Sequence, residues 1–316
     1  MEVPVYLITG FLESGKTSFI RGVMEDAEFS QGERTLLIVC EEGIEEYDKK
    51  LLRSANANAD MVVVEEEAQL TPAYLQQLQN KYMPERVLIE FNGTWNSAAF
   101  LEMKLPSLWL MYQVICQIDA STFEVYLNNM RSIMMEMIKT ADTVVFNRCT
   151  AETPRNSFRR TIKAVNRPAS LVFESEQGVM DDPQDEELPF DINADIVEID
   201  DDDFGLWYMD VTEFPDKYVG KTIRFKGMVY KSTRLPRGCF VPGRIAMVCC
   251  ANDAQMIGFL CKTDNPAQLK KNSWVMVTAQ LKLEASPAYK GKTGPVLYAS
   301  DIQPAEKPEE EIAYFS

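Results

Sequence analysis

The chain has 316 residues, 46% of them apolar, and a formal charge of −16 at pH 7. That length exceeds what one hydrophobic core usually organises, so two domains are expected. A net negative charge gives no counterion-release drive toward nucleic acid and repels anionic membrane surfaces, and the complete lack of histidine excludes His-based general bases, Ser-His-Asp triads and His-ligated metals.

The first element, in MEVPVYLITG, carries neither the basic flank nor the cleavage site of a leader peptide. No run of eighteen apolar residues follows anywhere, so the sequence predicts a cytoplasmic protein without membrane insertion. From Pro4 to about Phe173 the apolar runs VYLIT, TLLIVC, MVVVE, RVLIEF, MYQVICQID, TVVFN and ASLVFE alternate with longer helical patterns. Near-continuous hydrophobicity in those runs fits strands covered on both faces, and the predicted fold class is α/β: a P-loop domain with a largely parallel sheet flanked by helices, over residues 1–180.

Directly after VYLIT, Gly10-Phe11-Leu12-Glu13-Ser14-Gly15-Lys16-Thr17 matches G-x-x-x-x-G-K-[ST] and opens the helical stretch SFIRGVMEDAE. In such a loop the backbone N–H groups and the helix N-terminus face phosphate oxygens. Lys16 would reach the β- and γ-phosphates, Thr17 would donate an oxygen to Mg2+, and Ser18 would touch the α-phosphate. Gly10, Ser14 and Gly15 shape the cradle; Glu13, repulsive to phosphate, is expected to point outward. Glu90, ending RVLIE, is placed to help hold the metal, and Asn147, following TVVF, is the candidate reader of the base. The expected ligands are GTP or GDP with Mg2+.

Taken together, GFLESGKTS, IEFNG, QIDASTFEVYL and ADTVVFNRC resemble the CobW-type GTPases, relatives of the metal-insertion GTPases HypB and UreG, over roughly residues 1–175. Gly10 to Ser18, Glu90, Gly93, Asp119 and Asn147 occupy the family's places. The resemblance implies a nucleotide-gated GTPase switch in metal trafficking or homeostasis, with a metal-dependent client or transport-associated protein as partner and a homodimer among the compatible assemblies. Two departures stand out. Thr150 replaces the Asp that reads guanine, which weakens discrimination by ~1–3 kcal/mol unless an acid such as Glu152 compensates; and the family's C-x-C-C is absent, its interval reading MVVVEEEAQLTP. In CEEGIEEYD, Cys40, Glu41 and Asp48 remain as a candidate transition-metal set, for Zn2+ for example, against the plainer reading of a core Cys before a solvated acidic loop. An ATP-specific ATPase or kinase, and a scaffold that binds but does not hydrolyse nucleotide, are the competing classes.

Residues 181–203 hold twelve Asp or Glu and no Lys or Arg. Self-repulsion predicts an extended linker over 181–205. Beyond it KTIRFKGMVY, GRIAMVCC, MIGFLCKT, SWVMVTAQLKLE and PVLYASDI predict five strands without long helices, an OB-like β-domain over 206–304 with a fraying acidic tail at 305–316. This half resembles a small domain of unknown function found with permease-associated proteins. Seven cysteines, odd in number and irregularly spaced, predict thiols rather than disulfides. Cys239, Cys249, Cys250 and Cys261, with Asp253 nearby, match a zinc site in count but not in spacing, because adjacent strand residues face opposite ways. Met130, Met134, Met135 and Met137 are expected in the core, and Arg159, Arg160 and Lys163 on a solvated face.

Overall fold

A computed structural model describes residues 2–30, 32–41, 47, 52–53, 58–181, 188–246, 254–264, 268–286, 289 and 291–313. The chain divides into two units, residues 1–155 with 165–183, and residues 156–164 with 184–316.

All seven predicted strands of the first unit form: β1 (Val3–Thr9), β2 (Thr35–Val39), β3 (Ala59–Val63), β4 (Arg86–Glu90), β5 (Trp109–Asp119), β6 (Thr143–Asn147) and β7 (Ser170–Ser175), with β8 (Gly178–Val179) as a hairpin partner of β7. Their order is β3-β2-β4-β1-β5-β6-β7-β8, and every pairing except β7–β8 is parallel. Successive residues of β1 enter different cores. Leu7 packs with Leu36, Ile38, Val87 and Ile89; Ile8 packs with Leu37, Val39 and Leu88. Both faces are therefore apolar, which is why these runs read as continuous hydrophobicity.

Helix α1 (Lys16–Glu25) covers the Ile8 face through Ile20 and Met24, one turn apart, each buried side chain contributing about 1.5–3 kcal/mol. After the short α2 (Ala27–Ser30), helix α3 (Pro72–Tyr82) covers the other face with Leu75 and Leu78. It starts where Thr71 caps the Tyr74 N–H and Pro72 sits at the first helical position. Helix α4 (Ser97–Glu102) adds Phe100 to that core. Helices α5 (Phe123–Asn129) and α6 (Arg131–Thr140) follow β5, and Met134, Met135 and Met137 are buried as expected.

In the second unit, β10 (Thr222–Tyr230), β11 (Cys239–Ala246), β13 (Leu260–Lys262), β15 (Thr293–Pro304) and β14 (Trp274–Ala285) pair in that circular order, and β10 closes on both β11 and β14. Only β13–β15 is parallel within this ring. A five-stranded barrel in the order 1-2-3-5-4-1 is the OB topology. The predicted run MIGFLCKT splits into β12 (Gln255–Gly258), which pairs antiparallel with the end of β11, and β13. Helix α7 (Arg155–Val165) supplies residues 156–164 to this unit; its Arg159 is half-buried and paired with Glu213 rather than solvated.

Three expectations are corrected. The acidic stretch is not simply a linker: Ile196–Ile199 forms β9, parallel to β10, with Val197 and Ile199 turned inward. Part of its charge is neutralised locally, since Glu198 pairs with Arg224, and Asp201 with Lys226 and the buried Arg244. Residues 182–187 of that stretch lie outside the described residues. A ten-residue helix, α8 (Phe204–Glu213), precedes the barrel and buries Phe204, Trp207 and Val211. The tail pairs as well: β16 (Ile312–Ala313) adds to β11, and the Glu310 carbonyl accepts from Arg244.

Candidate functional site

Parallel strands present all their carboxyl ends on one side, and Ile8 is in register with Glu90, Thr9 with Cys116, and Asp119 with Asn147. The predicted loop residues, Glu90, Asp119 and Asn147 thus gather at one edge. Ligands of open α/β sheets bind outside that edge, where the strand order reverses beside β1.

The loop leaves β1 at Gly10 and enters α1 through Gly15, which takes the N-cap position at φ 94° with no side chain capping the helix. A Cβ there would lie 2.2 Å from Asn147 Nδ2, so only glycine permits the approach. At the neighbouring strand end, a Cβ on Gly93 would lie 2.2 Å from the Gly10 carbonyl oxygen, which locks the segment after β4 against the loop. An uncapped helix N-terminus behind a glycine-bounded loop is an anion site. The Lys16 ammonium, 3% exposed, donates to the Gly10 and Phe11 carbonyls at 2.8 and 2.9 Å and forms an ion pair with Glu41 at 2.5 Å. Ser18 is exposed on the first turn of α1, and Glu13 is exposed at φ 63°.

Thr17 donates to Glu90 Oε1 at 2.7 Å, and Tyr47 donates to Glu90 Oε2 at 2.5 Å. Tyr47 was not singled out from sequence; it lies in the acidic CEEGIEEYD segment, whose charge drew attention to carboxylates instead. Burial raises the Glu90 carboxyl above its usual range, against the lowering effect of the Thr17 and Tyr47 hydrogen bonds and of Lys16. A buried carboxylate touching the P-loop threonine is a hard oxygen ligand suited to Mg2+.

At the base end, Asn147 Nδ2 donates to the Ser14 carbonyl at 2.6 Å, tying β6 to the loop. Arg148, at φ 53°, donates to the Glu13 carbonyl at 3.0 Å and pairs with Asp119. Burial alone would raise Asp119, but hydrogen bonds from Ser121 and Arg148 hold it below the usual carboxylate range. Asp119 therefore braces the loop. Among the described residues Ser14 Oγ and Asn147 Oδ1 are buried without a partner, and such atoms at a phosphate cradle and a base loop fit a bound nucleotide. Thr150 and Glu152 are exposed; the Glu152 N–H donates to Thr150 Oγ1 at 3.3 Å, and hydrogen bonding to Thr150 lowers the Glu152 carboxyl.

The transition-metal set fits less well. Cys40 is 2% exposed, its thiol pushed up to about 12 by burial and then by the charges of Glu90 and Glu41, so it is not a ready thiolate. Glu41 is committed to Lys16, and Asp48 lies outside the described residues. Cys249, Cys250 and Asp253 also lie outside them; Cys261 is fully buried in the barrel and Cys239 half-buried. Among the described residues no three Cys, Asp or Glu side chains are grouped to hold a metal, and no helix is long and apolar enough to cross a membrane.

Residues 4–173 match the family described as CobW/HypB/UreG, nucleotide-binding domain, and residues 176–315 match the DUF1980 C-terminal domain. The UPF0703 protein YcgQ of Bacillus subtilis (strain 168) is 25% identical over 118 residues, 37% of this chain, and the chain spans 41% of that relative's length. Among solved structures, the hydrogenase maturation factor HypB from Archaeoglobus fulgidus is similar at 16% identity and a TM-score of 0.40, over 56% of this chain and 82% of that one. Zn(II)-bound YjiA GTPase from E. coli is similar at 16% identity and a TM-score of 0.42, over 73% of this chain and 74% of that one.

Proposed function

The chain belongs to the CobW/HypB/UreG nucleotide-binding family, and from that premise we propose that it is a GTP-binding switch that hydrolyses GTP slowly with Mg2+ in the service of metal trafficking or homeostasis. The observation that carries the reading is the joined cluster of Lys16, Thr17 and Glu90 at the uncapped N-terminus of α1. Lys16 and the loop N–H groups would take the phosphates; Thr17 and Glu90 would hold Mg2+, which supplies charge neutralisation on the phosphate oxygens. Tyr47 and Asp119 act as positioning residues, the first through Glu90 and the second through Arg148. Guanine preference rests on Asn147 and on Glu152, whose carboxylate stands beside Thr150 where the family has Asp.

A triphosphate that binds through Lys16 and releases the Glu41 contact gives the two nucleotide states different contacts in the segment after β2, and this is the basis of a switch. An adenine-directed ATPase is the second reading, favoured by Thr150. Calorimetric titration of GTP, GDP and ATP with Mg2+ into wild type, Lys16→Ala and Thr150→Asp tests both. Guanine-selective binding, lost in Lys16→Ala and sharpened in Thr150→Asp, is expected. Equal ATP and GTP affinity in wild type would sink the GTP reading, and tight binding without turnover would leave a scaffold.

A further inference from the structure

Net charge conceals a strongly basic region. Between Phe214 and Ser300 the chain holds fourteen Lys or Arg and four Asp or Glu. Much of that positive charge is used inside the second unit: Lys217 pairs with Asp210, Arg224 with Glu198, Lys226 and Arg244 with Asp201, and Lys262 with Glu284. Arg234, Arg237, Lys270 and Lys271 are exposed and make no ion pair among the described residues.

These four belong to one end of the barrel. The β10–β11 loop carries both arginines, and the segment entering β14 carries both lysines. Three contacts tie the segment entering β14 to the end of β10 and the start of its loop: the Lys231 ammonium donates to the Leu269 carbonyl, Asn272 N–H donates to the Val229 carbonyl at 2.9 Å, and Val229 N–H to the Ser273 carbonyl at 2.9 Å. A fourth, from Thr263 N–H to the Gly238 carbonyl at 3.0 Å, ties the β10–β11 loop to the end of β13. In OB folds the loop between the first two strands is a ligand-contacting loop. Like charges gathered there repel one another, and no fold contact among the described residues offsets that repulsion.

We propose that this end of the barrel docks a carboxylate-rich polypeptide segment of a partner protein. The same barrel already holds acidic chain by this means, since Arg224, Lys226 and Arg244 grip the stretch containing Glu198 and Asp201 and Arg244 reaches the Glu310 carbonyl. Single-stranded nucleic acid is the less favoured polyanion. It needs exposed rings on which bases stack, and among the described residues the exposed ring beside these loops is Tyr230. Tyr298 is engaged by Lys262, Lys282 and Glu284. A long polyanion would also meet the repulsion of a chain at −16, whereas a short acidic segment lies within about one Debye length, ~8 Å at physiological salt, of the local positive field.

The test is fluorescence anisotropy of a labelled oligo-glutamate peptide with the full chain, at low and physiological salt. Saturable binding that weakens with salt is expected. It should fall by about tenfold or more in R234E/R237E and in K270E/K271E, by less in the neutral variants R234Q/R237Q, and should be absent with oligo-glutamine. Thermal midpoints of the variants check that these exposed changes leave the fold intact. No saturable binding by wild type, binding indifferent to all the variants, or tighter binding of oligothymidylate through the same four residues would each overturn the proposal.

Discussion

Glu41→Gln should make the protein bind nucleotide more tightly. The Lys16–Glu41 pair is 2.5 Å long, with side chains 3% and 11% exposed. At an effective dielectric near 20 the bare attraction is about 7 kcal/mol, most of it offset by the desolvation of both groups. The net value of such a charged hydrogen bond is about 1.5–3 kcal/mol. A triphosphate has to take Lys16 from Glu41, so this net value opposes binding in wild type. Glutamine keeps the size and an acceptor oxygen but removes the charge, and affinity should rise about ten- to a hundredfold. The unliganded variant should also melt earlier, because the buried Lys16 ammonium then faces only neutral acceptors, the Gly10 and Phe11 carbonyls and the new amide oxygen. Calorimetry of GTP and GDP with Mg2+ measures the affinity, and because the pair is buried the gain should persist at high salt. Unchanged affinity would refute the competition argument, and weaker affinity would make Glu41 a contributor to nucleotide or metal binding.

Three further outcomes follow from the geometry. Gly93→Ala sets a Cβ 2.2 Å from the Gly10 carbonyl oxygen and 2.7 Å from its carbon, rigid backbone on rigid backbone; a cost of about 1–3 kcal/mol in stability is expected, read by thermal melting, together with weakened nucleotide binding. Burial raises Glu90 above its ordinary value of 4.5, so its ionised form costs stability at neutral pH and that cost vanishes as pH falls through the raised value toward 4.5. Cation binding vanishes over the same window, so Mg2+-dependent nucleotide affinity should drop on acidification while still above pH 4.5, with Glu90→Gln removing the dependence; a flat profile there contradicts the role. Arg244→Met leaves Asp201 with Lys226 alone and should cost about 3–5 kcal/mol in denaturant unfolding, with Asp201→Asn restoring part of it in the double variant; an unshifted midpoint would mean the pair is idle.

The first unit was legible because each of its strands is buried on both faces and each ends at a turn with its own chemistry. VYLIT leading into a glycine-bounded loop and a helix locates β1, Lys16 and Thr17 with no tertiary information, and RVLIE locates Glu90 at the same edge once the sheet is parallel. Tyr47, Arg148 and Glu41 were harder to read. Their roles depend on which carbonyl or carboxylate the fold brings across: Arg148 meets the Glu13 carbonyl across a sequence distance of 135 residues, and Tyr47 meets Glu90 across 43. No local pattern of hydrophobicity or spacing encodes those meetings. Methionine burial on α6 followed directly from helical periodicity, as expected for a core face.

Charge was the weakest guide, for a physical reason. A run such as DINADIVEIDDDD reads as self-repelling only if its counterions are water and salt, whereas here Arg224, Lys226 and Arg244, 25 to 43 positions further on, stand opposite it. Period-two alternation of Ile196, Val197, Glu198 and Ile199 was the overlooked signal: Val197 and Ile199 turn inward while Glu198 stays at the surface. Without the twelve acids of residues 181–203 the formal charge of −16 becomes −4, a near-neutral sum that conceals the large positive excess of the barrel. Because several acids and bases of this half are separated along the chain but paired in the fold, the unpaired cations at one end of the barrel, Arg234, Arg237, Lys270 and Lys271, emerge only after the pairs have been assigned. Those residues, rather than the chain's net charge, set the electrostatic character that a partner of the barrel would meet.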